Sequence, residues 1–290
     1  MRYDPGENSV ESGRSLNQVG VFQGRLSPPI DNRIQAFPGA RWQQEFEIAS
    51  KLGLSSIEWI LESPLEENPL WTDDGVLEMA DVVRRTGVSI DFICVDFFLE
   101  SPFVRMSPTV RETNQSVLKH ALEQAARLNI IGIEIPMVDA SRINALREED
   151  ELAKALEPGL ETAFKRNIQI GLETSLNPDR FRNLLETIDH PALRANYDSG
   201  NSASLGYDPA EEFDAYSKWI NNVHLKDRVL GGGTVPFGKG NTDIPKVLKL
   251  LRDHNYSGDF VLQGARQGSP RQTVQHYFEQ VTHWLAEAAG

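Results

Sequence analysis

The sequence contains a single cysteine, Cys94, among its 290 residues. One thiol cannot form an internal disulfide, and such a chain is typical of a reducing compartment, so we expect a cytoplasmic protein. Basic residues are also scarce, since 29 Lys and Arg stand against 42 Asp and Glu for a net charge of −13. Nucleic acids are bound through clustered Lys and Arg, which argues against such a partner. No apolar run approaches the roughly 18 residues of a membrane span, and no hydrophobic signal segment is found.

What the chain does contain is a repeated alternation of strand-like and helix-like segments. Residues 1–17 are polar without periodicity and are predicted to be a flexible leader, whereas residues 18–290 are predicted to form one barrel domain. Strand-like runs are each followed by a segment long enough for a helix, which predicts an α/β fold of the (β/α)8 TIM-barrel type. The predicted strands cover residues 18–23, 55–60, 88–95, 130–136, 168–173, 193–198, 220–226 and 259–263.

Cap residues support the helices of this prediction. Gly53 and Gly87 directly follow two predicted helices, where glycine adopts the left-handed conformation that ends a helix. Asn177 and Asp208 each precede a proline, which is the pattern of a helix N-cap followed by proline at the first helical position. The predicted helices include residues 42–52, 76–86, 109–128, 148–166 and 244–254.

Four polar residues stand at the ends of four predicted strands: Glu173, Asp198, His224 and Gln263. Alternate residues of a strand point to opposite faces, and in each of these strands the apolar residues occupy the opposite face. In a helix-wrapped barrel the apolar face meets the helices, so the four polar side chains are expected to meet inside it. Two carboxylates, an imidazole and an amide oxygen predict a divalent metal site. Taken alone, His224 would more often be a hydrogen-bonded core histidine.

Four segments of the second half resemble a known family. They are Tyr197–Asn201, Val223–Asp227, Val235–Gly240 and Asn255–Phe260. They are similar to the sugar phosphate isomerase/epimerase family of xylose-isomerase-like TIM barrels, and within it to the L-ribulose-5-phosphate 3-epimerase and hexulose-6-phosphate isomerase type. The resemblance extends from about residue 18 and is strongest over residues 168–263.

The resemblance implies a metal-dependent isomerase or epimerase of a sugar or sugar phosphate. It implies one divalent ion, Mn²⁺ in the first place and Mg²⁺, Co²⁺ or Zn²⁺ as alternatives, with Glu173, Asp198 and His224 as ligands. Two metal-ligating glutamates of the family move a proton next to the sugar carbonyl through an enediolate. The first matches Glu173, and the second belongs where this chain has Gln263.

That departure changes the chemistry available at the last strand. The amide of Gln263 can coordinate a metal through oxygen, but it cannot accept a proton at neutral pH. Glu134 ends the strand 130–136 and has inward parity, so we predict that Glu134 or Glu173 is the catalytic base. The alternative is that strand-end glutamates such as Glu134 and Glu58 pair with a neighbouring Arg or Lys.

Cationic residues in the strand-end loops suit an anionic sugar. Guanidinium and ammonium groups bind phosphate or carboxylate, and neutralisation of nearby carboxylates is the alternative. Asp96, beside the aromatic residues of the third strand-end loop, is a further predicted substrate ligand, and the same loop gives a reason to expect a homodimer. The predicted cationic substrate ligands are Arg25, Lys226, Arg228, Lys239 and Arg266.

Two other classes of protein compete with this hypothesis. A sugar-binding barrel without catalysis would explain Gln263. An apurinic endonuclease of the same superfamily would need several zinc ions, more histidine ligands than six scattered ones readily provide, and a basic DNA-facing surface. One bound Mn-like ion would favour the isomerase, several zinc ions the nuclease, and an empty site the binding protein.

Overall fold

The computed structural model describes residues 18–289, so the predicted leader, residues 1–17, lies outside the described residues. The fold is a closed barrel of eight parallel strands, as the sequence predicts. In chain order the strands are β1 (Val19–Phe22), β2 (Ile57–Ile60), β3 (Phe92–Cys94), β4 (Gly132–Met137), β5 (Gln169–Thr174), β6 (Leu193–Asp198), β7 (Ile220–Leu225), β8 (Asp227–Arg228), β9 (Thr234–Val235) and β10 (Phe260–Leu262). Of these, the two short strands β8 and β9 lie outside the barrel.

The barrel closes where the first strand meets the last. The neighbours run β1-β10-β7-β6-β5-β4-β3-β2, and β2 pairs with β1. Across the closing seam Val19 lies opposite Phe260, and the backbone N–H of Gln18 donates to Oδ1 of Asp259 at 2.9 Å. The two short strands β8 and β9 form a separate antiparallel hairpin beyond the carboxyl end of β7.

Helices follow the strands and cover the outside of the barrel. Gly53 and Gly87 end α1 and α2 at φ 79° and 72°, and the side chains of Asn177 and Asp208 accept from the first turns of α6 and α8, so these cap predictions are confirmed. None of the helices in residues 18–289 is long and apolar enough to span a bilayer. The helices are α1 (Trp42–Leu52), α2 (Asp73–Thr86), α3 (Phe97–Glu100), α4 (Pro108–Arg127), α5 (Leu146–Lys165), α6 (Pro178–Ile188), α7 (Ser199–Leu205), α8 (Pro209–Tyr216), α9 (Ile244–Asp253) and α10 (Pro270–Ala289).

The third predicted strand is shorter than expected. The predicted run covers residues 88–95, whereas the regular ladder occupies only Phe92–Cys94. Ser89 pairs with the segment before β2 through an isolated bridge with Ser56, and its backbone groups bond to Ser55 and Ile57. The extended backbone therefore begins where predicted, but continuous pairing with β4 starts only at Phe92.

Side-chain alternation separates the two faces of the barrel wall. The apolar residues of β4 and β5, such as Ile133 and Leu172, belong to the large core that packs between barrel and helices. A smaller apolar cluster of Phe22, Ile60, Cys94 and Val261 lies apart from it and packs in the interior. The predicted polar residues share that interior, because register places His224 opposite Asp198 on one side and opposite Val261 on the other.

Candidate active site

Three side chains predicted as metal ligands lie together at the carboxyl ends of β5, β6 and β7. Glu173, Asp198 and His224 are all buried, and each offers one ligand atom within 4.8 Å of the others. Gln263 follows β10 and its Oε1 is buried without a hydrogen-bond partner. Two carboxylates, an imidazole and an unpaired amide oxygen suit a hard or borderline divalent cation. The residues present therefore fit a divalent metal ion.

His224 is held by different partners on its two ring nitrogens. Its Nε2 lies 2.9 Å from Oε2 of Glu58, while its Nδ1 lies 3.9 Å from Oδ2 of Asp198. Burial would lower the pKa of His224, but the charge and hydrogen bond of Glu58, together with the charges of Asp198 and Glu173, outweigh it, so the pKa is raised above its ordinary value. A carboxylate on Nε2 favours the tautomer that carries its proton there and leaves Nδ1 unprotonated, facing the amide nitrogen of Asn196 at 3.3 Å and Asp198 at 3.9 Å, which is the usual arrangement behind a metal-ligating histidine.

A second group of buried carboxylates adjoins the first. Oε2 of Glu134 lies 3.4 Å from Nε2 of His224, and both carboxylate oxygens of Glu134 lack a hydrogen-bond donor. Burial, followed by the charge of Glu173, raises the pKa of Glu134 well above its ordinary value. Burial would also raise the pKa of Glu58, yet the contact with His224 lowers it. Within residues 18–289, Glu58 and Glu134 each form an ion pair with His224 and none with Arg or Lys. The alternative that these glutamates pair with a neighbouring Arg or Lys is therefore not what the structure shows.

A chain of amides fixes the orientation of Gln263. Its Nε2 donates to Oε1 of Gln35 at 2.8 Å, and Nε2 of Gln35 donates to Oδ2 of Asp96 at 2.7 Å. Because the amide nitrogen of Gln263 is used in this way, its oxygen is the atom left for the interior. Burial raises the pKa of Asp96 to about 6, and Cys94 donates its thiol to the other carboxylate oxygen.

Polar residues of α7 and the β8–β9 hairpin form a layer above the carboxylates. Nζ of Lys226 lies 2.5 Å from Oδ2 of Asp198, an ion pair that lowers the pKa of Asp198 against the opposing effect of burial. Asn201 bridges two charged residues, because its amide nitrogen donates to Glu173 and its oxygen accepts from Arg228 at 2.6 Å. The amide thus orients Glu173 and ties it to the rim of the barrel.

A cleft of about 520 Å³ opens above this layer. Glu173 and Gln263 lie at its base, and the predicted substrate ligands Asp96, Lys226 and Arg228 line it. Its volume falls in the range of small-molecule sites. The structure thus brings three of the six predicted substrate ligands to the space next to the candidate metal ligands.

The remaining three predicted substrate ligands are placed elsewhere. Arg266 donates to the backbone carbonyls of Gly24, Ser27 and Ile34 at 2.6 to 2.9 Å. Arg25 is buried and also donates to the carbonyl of Ile34, and Lys239 is not among the residues that line the cleft. Both arginines hold the loop between β1 and α1, so their predicted role in substrate binding gains no support from the arrangement.

The comparisons with known proteins agree with this architecture. A model of the xylose isomerase-like TIM barrel family matches residues 46–285. The chain belongs to this family. The family resemblance in the sequence is thereby confirmed.

Individual known proteins are similar to this chain along most of its length. The L-ribulose-5-phosphate 3-epimerase UlaE of Escherichia coli strain SMS-3-5 is 22% identical over 245 residues, which are 81% of this chain and 86% of that protein. The D-psicose 3-epimerase of Clostridium cellulolyticum H10, solved with D-tagatose, has a TM-score of 0.75 at 13% identity and covers 92% of this chain and 99% of its own. A barrel of the same kind from Mycobacterium smegmatis, in complex with magnesium, has a TM-score of 0.70 at 16% identity and covers 94% and 98%.

Sequence reasoning missed several residues of the site in this xylose isomerase-like barrel. Glu58 was given only a structural role, although its inward parity between Ser56 and Ile60 was a usable signal. Gln35 lies in a loop without periodicity, and no pattern in the sequence pointed to it. Asn196 and Asn222 share the inward faces of β6 and β7, and their amides lie 3.3 and 3.2 Å from the ring nitrogens of His224.

Proposed function

We propose that this protein is a divalent-metal-dependent isomerase or epimerase of a sugar, which moves a proton on the carbon next to a carbonyl. The observation that carries the proposal is the convergence of Glu173, Asp198 and His224 with an unpaired oxygen of Gln263 and a further buried carboxylate, Glu134. Relatives named as sugar 3-epimerases, and barrels of the same fold solved with zinc or magnesium, support it.

The proposed ligands are those predicted, Glu173, Asp198, His224 and Gln263. A divalent ion held there would polarise the sugar carbonyl and so acidify the neighbouring C–H bond. Glu58 accepts the Nε2 proton of His224 and keeps Nδ1 available. Asn201 donates to Glu173 and holds its carboxylate in place.

Glu134 is the group proposed to take and return the proton. Gln263 has no protonatable oxygen at neutral pH, and Glu173 accepts a hydrogen bond from Asn201, whereas neither oxygen of Glu134 has a donor. The charge of Glu173 is one of the causes that raise the pKa of Glu134, so a divalent ion held by Glu173 would favour the ionised form of Glu134, which is the form that can accept a proton. Burial in the barrel excludes water that would compete for the proton.

The test is solvent exchange with Glu134→Gln. The protein is loaded with Mn²⁺ and incubated with ketoses and their phosphates in deuterated water, and incorporation of deuterium next to the carbonyl is followed by NMR. Loss of a general base slows exchange by about 10² to 10⁴-fold. Glu112→Gln on the exposed side of α4, outside the cleft, is the matched control and should retain exchange.

The outcomes separate the candidate functions. Exchange that persists unchanged in a folded, metal-loaded Glu134→Gln protein would remove Glu134 from the mechanism and return the role to Glu173. No exchange on any ketose, with sugar binding intact, would favour the sugar-binding barrel to which Gln263 points. The endonuclease has little support, because His224 is the sole histidine in the candidate metal clusters of residues 18–289.

A further inference from the structure

The cleft above the candidate metal ligands is acidic. Among the side chains that line it, three are basic and five are acidic. Arg33 is paired with Glu62 at 2.8 Å and Lys226 with Asp198 at 2.5 Å, so two of the three cations are already neutralised. Asp96 and Glu173 stand at the base of the cleft. A bound divalent ion would offset the charge of Glu173, but Asp96, Glu100 and Asp139 would still stand against Arg228 alone, so a phosphate dianion at the rim of the cleft would meet a surplus of negative charge.

The guanidinium groups near the cleft are already bonded to the protein. Arg228 donates through Nε and Nη2 to the carbonyl of Gly232 at 3.0 and 2.7 Å, and through Nη1 to Asn201. Arg266 uses all three of its nitrogens on backbone carbonyls. Arg25 is buried, and burial lowers its pKa to about 9. Three of the five N–H donors of Arg228 and three of those of Arg266 are thereby engaged, so a phosphate group would have to compete with these internal contacts for the guanidinium groups.

The backbone amides that could bind phosphate are also taken by carboxylates of the chain. In the loop after β9, the N–H groups of Lys239, Gly240 and Thr242 all donate to Asp227 at 2.9 to 3.0 Å. At the start of α7, the N–H groups of Gly200 and Asn201 donate to Asp198 at 2.9 Å. Converging N–H groups at loops and helix starts are the common phosphate cradles of proteins. Here an internal anion fills each of these two.

We propose that the substrate of this cleft is an uncharged sugar, a ketose or keto sugar without a phosphate group. The proposal rests on the proposed function and narrows its substrate class. Sugar hydroxyls donate as well as accept, so they can donate to the carboxylates of Asp96 and Glu173 and accept from the second N–H of the Gln35 and Asn201 amides, whose first N–H is already bonded within the protein. Such a surface suits a polyol better than a dianion.

The experiment compares matched substrates that differ only by phosphate. Deuterium exchange next to the carbonyl is measured on the Mn²⁺-loaded protein with L-ribulose and L-ribulose 5-phosphate, and with D-tagatose and D-tagatose 6-phosphate. We expect kcat/KM to favour the uncharged sugar of each pair by at least about tenfold, a difference of about 1.4 kcal/mol. Titration calorimetry with inorganic phosphate should show no binding at millimolar concentration.

A charge reversal at the rim gives an independent readout. Glu100 is exposed and lines the cleft, so Glu100→Lys should fold normally and should shift the preference toward the phosphorylated sugar several-fold. Glu112→Lys on the exposed side of α4 is the matched control and should leave the preference unchanged. The shift should shrink at high salt.

Each outcome bears on a different proposal. Faster exchange on the phosphorylated member of both pairs overturns the uncharged-sugar inference but leaves the isomerase function standing. Exchange on neither member overturns the proposed function and the inference with it. Preference for the uncharged sugar, reduced by Glu100→Lys and not by Glu112→Lys, supports both.

Discussion

Glu212 of α8 is a buried carboxylate that the proposed chemistry does not use, and it makes folding stability depend on pH. It accepts hydrogen bonds from Tyr216 at 2.9 Å, from Tyr197 at 3.3 Å and from Ser202. Burial nevertheless raises the pKa of Glu212 from its ordinary value near 4.5 to about 7. Between these two pH values the folded protein holds a proton that the unfolded chain has lost. The free energy of unfolding therefore falls as pH rises from about 4.5 to about 7 and then levels off.

The substitution Glu212→Gln removes this dependence while keeping the size and much of the hydrogen bonding of the side chain. A shift of this size corresponds to about 3 kcal/mol when fully expressed. Relative to the parent protein, the variant should gain about 1 kcal/mol at pH 5 and about 3 kcal/mol at pH 8. Urea unfolding at several pH values measures the difference.

Glu211→Gln is the matched control, because Glu211 is the exposed neighbour on the same helix. Its stability difference from the parent should be small and nearly independent of pH. The reasoning about Glu212 is refuted if the gain of Glu212→Gln stays constant from pH 5 to pH 8, or if the variant is less stable at the alkaline end.

Two further predictions concern the candidate metal centre. Glu58→Gln places a neutral group beside Nε2 of His224 and should weaken Mn²⁺ binding by about 10 to 100-fold, as measured by calorimetric titration. An unchanged affinity would show that Glu58 does not support the histidine. Gln263→Glu adds a negative charge but removes the donor that bonds to Gln35, so we expect tighter Mn²⁺ binding together with a lower melting temperature of the metal-free protein. A metal-free melting temperature equal to that of the parent would count against the amide chain.

Parity along the strands predicted most of the barrel and its inward-facing residues. Val261 and His224 share the interior as expected, and the opposite face of each strand packs under the helices. The signal is strong because a one-residue error in register would turn a whole apolar face to the interior. The helix ends with glycine, Asn-Pro or Asp-Pro caps were also predictable, because the end of a helix depends on a few residues that are neighbours in the sequence.

Parity could not show which inward residues meet at one level. Glu58 and His224 are 166 residues apart in sequence and touch only because the closed barrel brings β2 and β7 across its interior. The basic residues that reach the cleft were harder to predict from the sequence. They lie in loops, where the path of the backbone decides the direction of the side chain. Lys226, two residues after the inward-facing His224, lines the cleft, whereas Arg266 turns back onto the loop after β1.

The seam between β1 and β10 has a consequence for how the protein is made. A ribosome releases β1 early and β10 more than two hundred residues later, and the seam bond from Gln18 to Asp259 spans 241 positions. Contacts of such long range form late and slowly. Until translation passes residue 262 the nascent sheet keeps an open edge at β1, which is the kind of edge that recruits other chains. Pairing of β10 with β1 is therefore the step that closes the barrel and removes this edge.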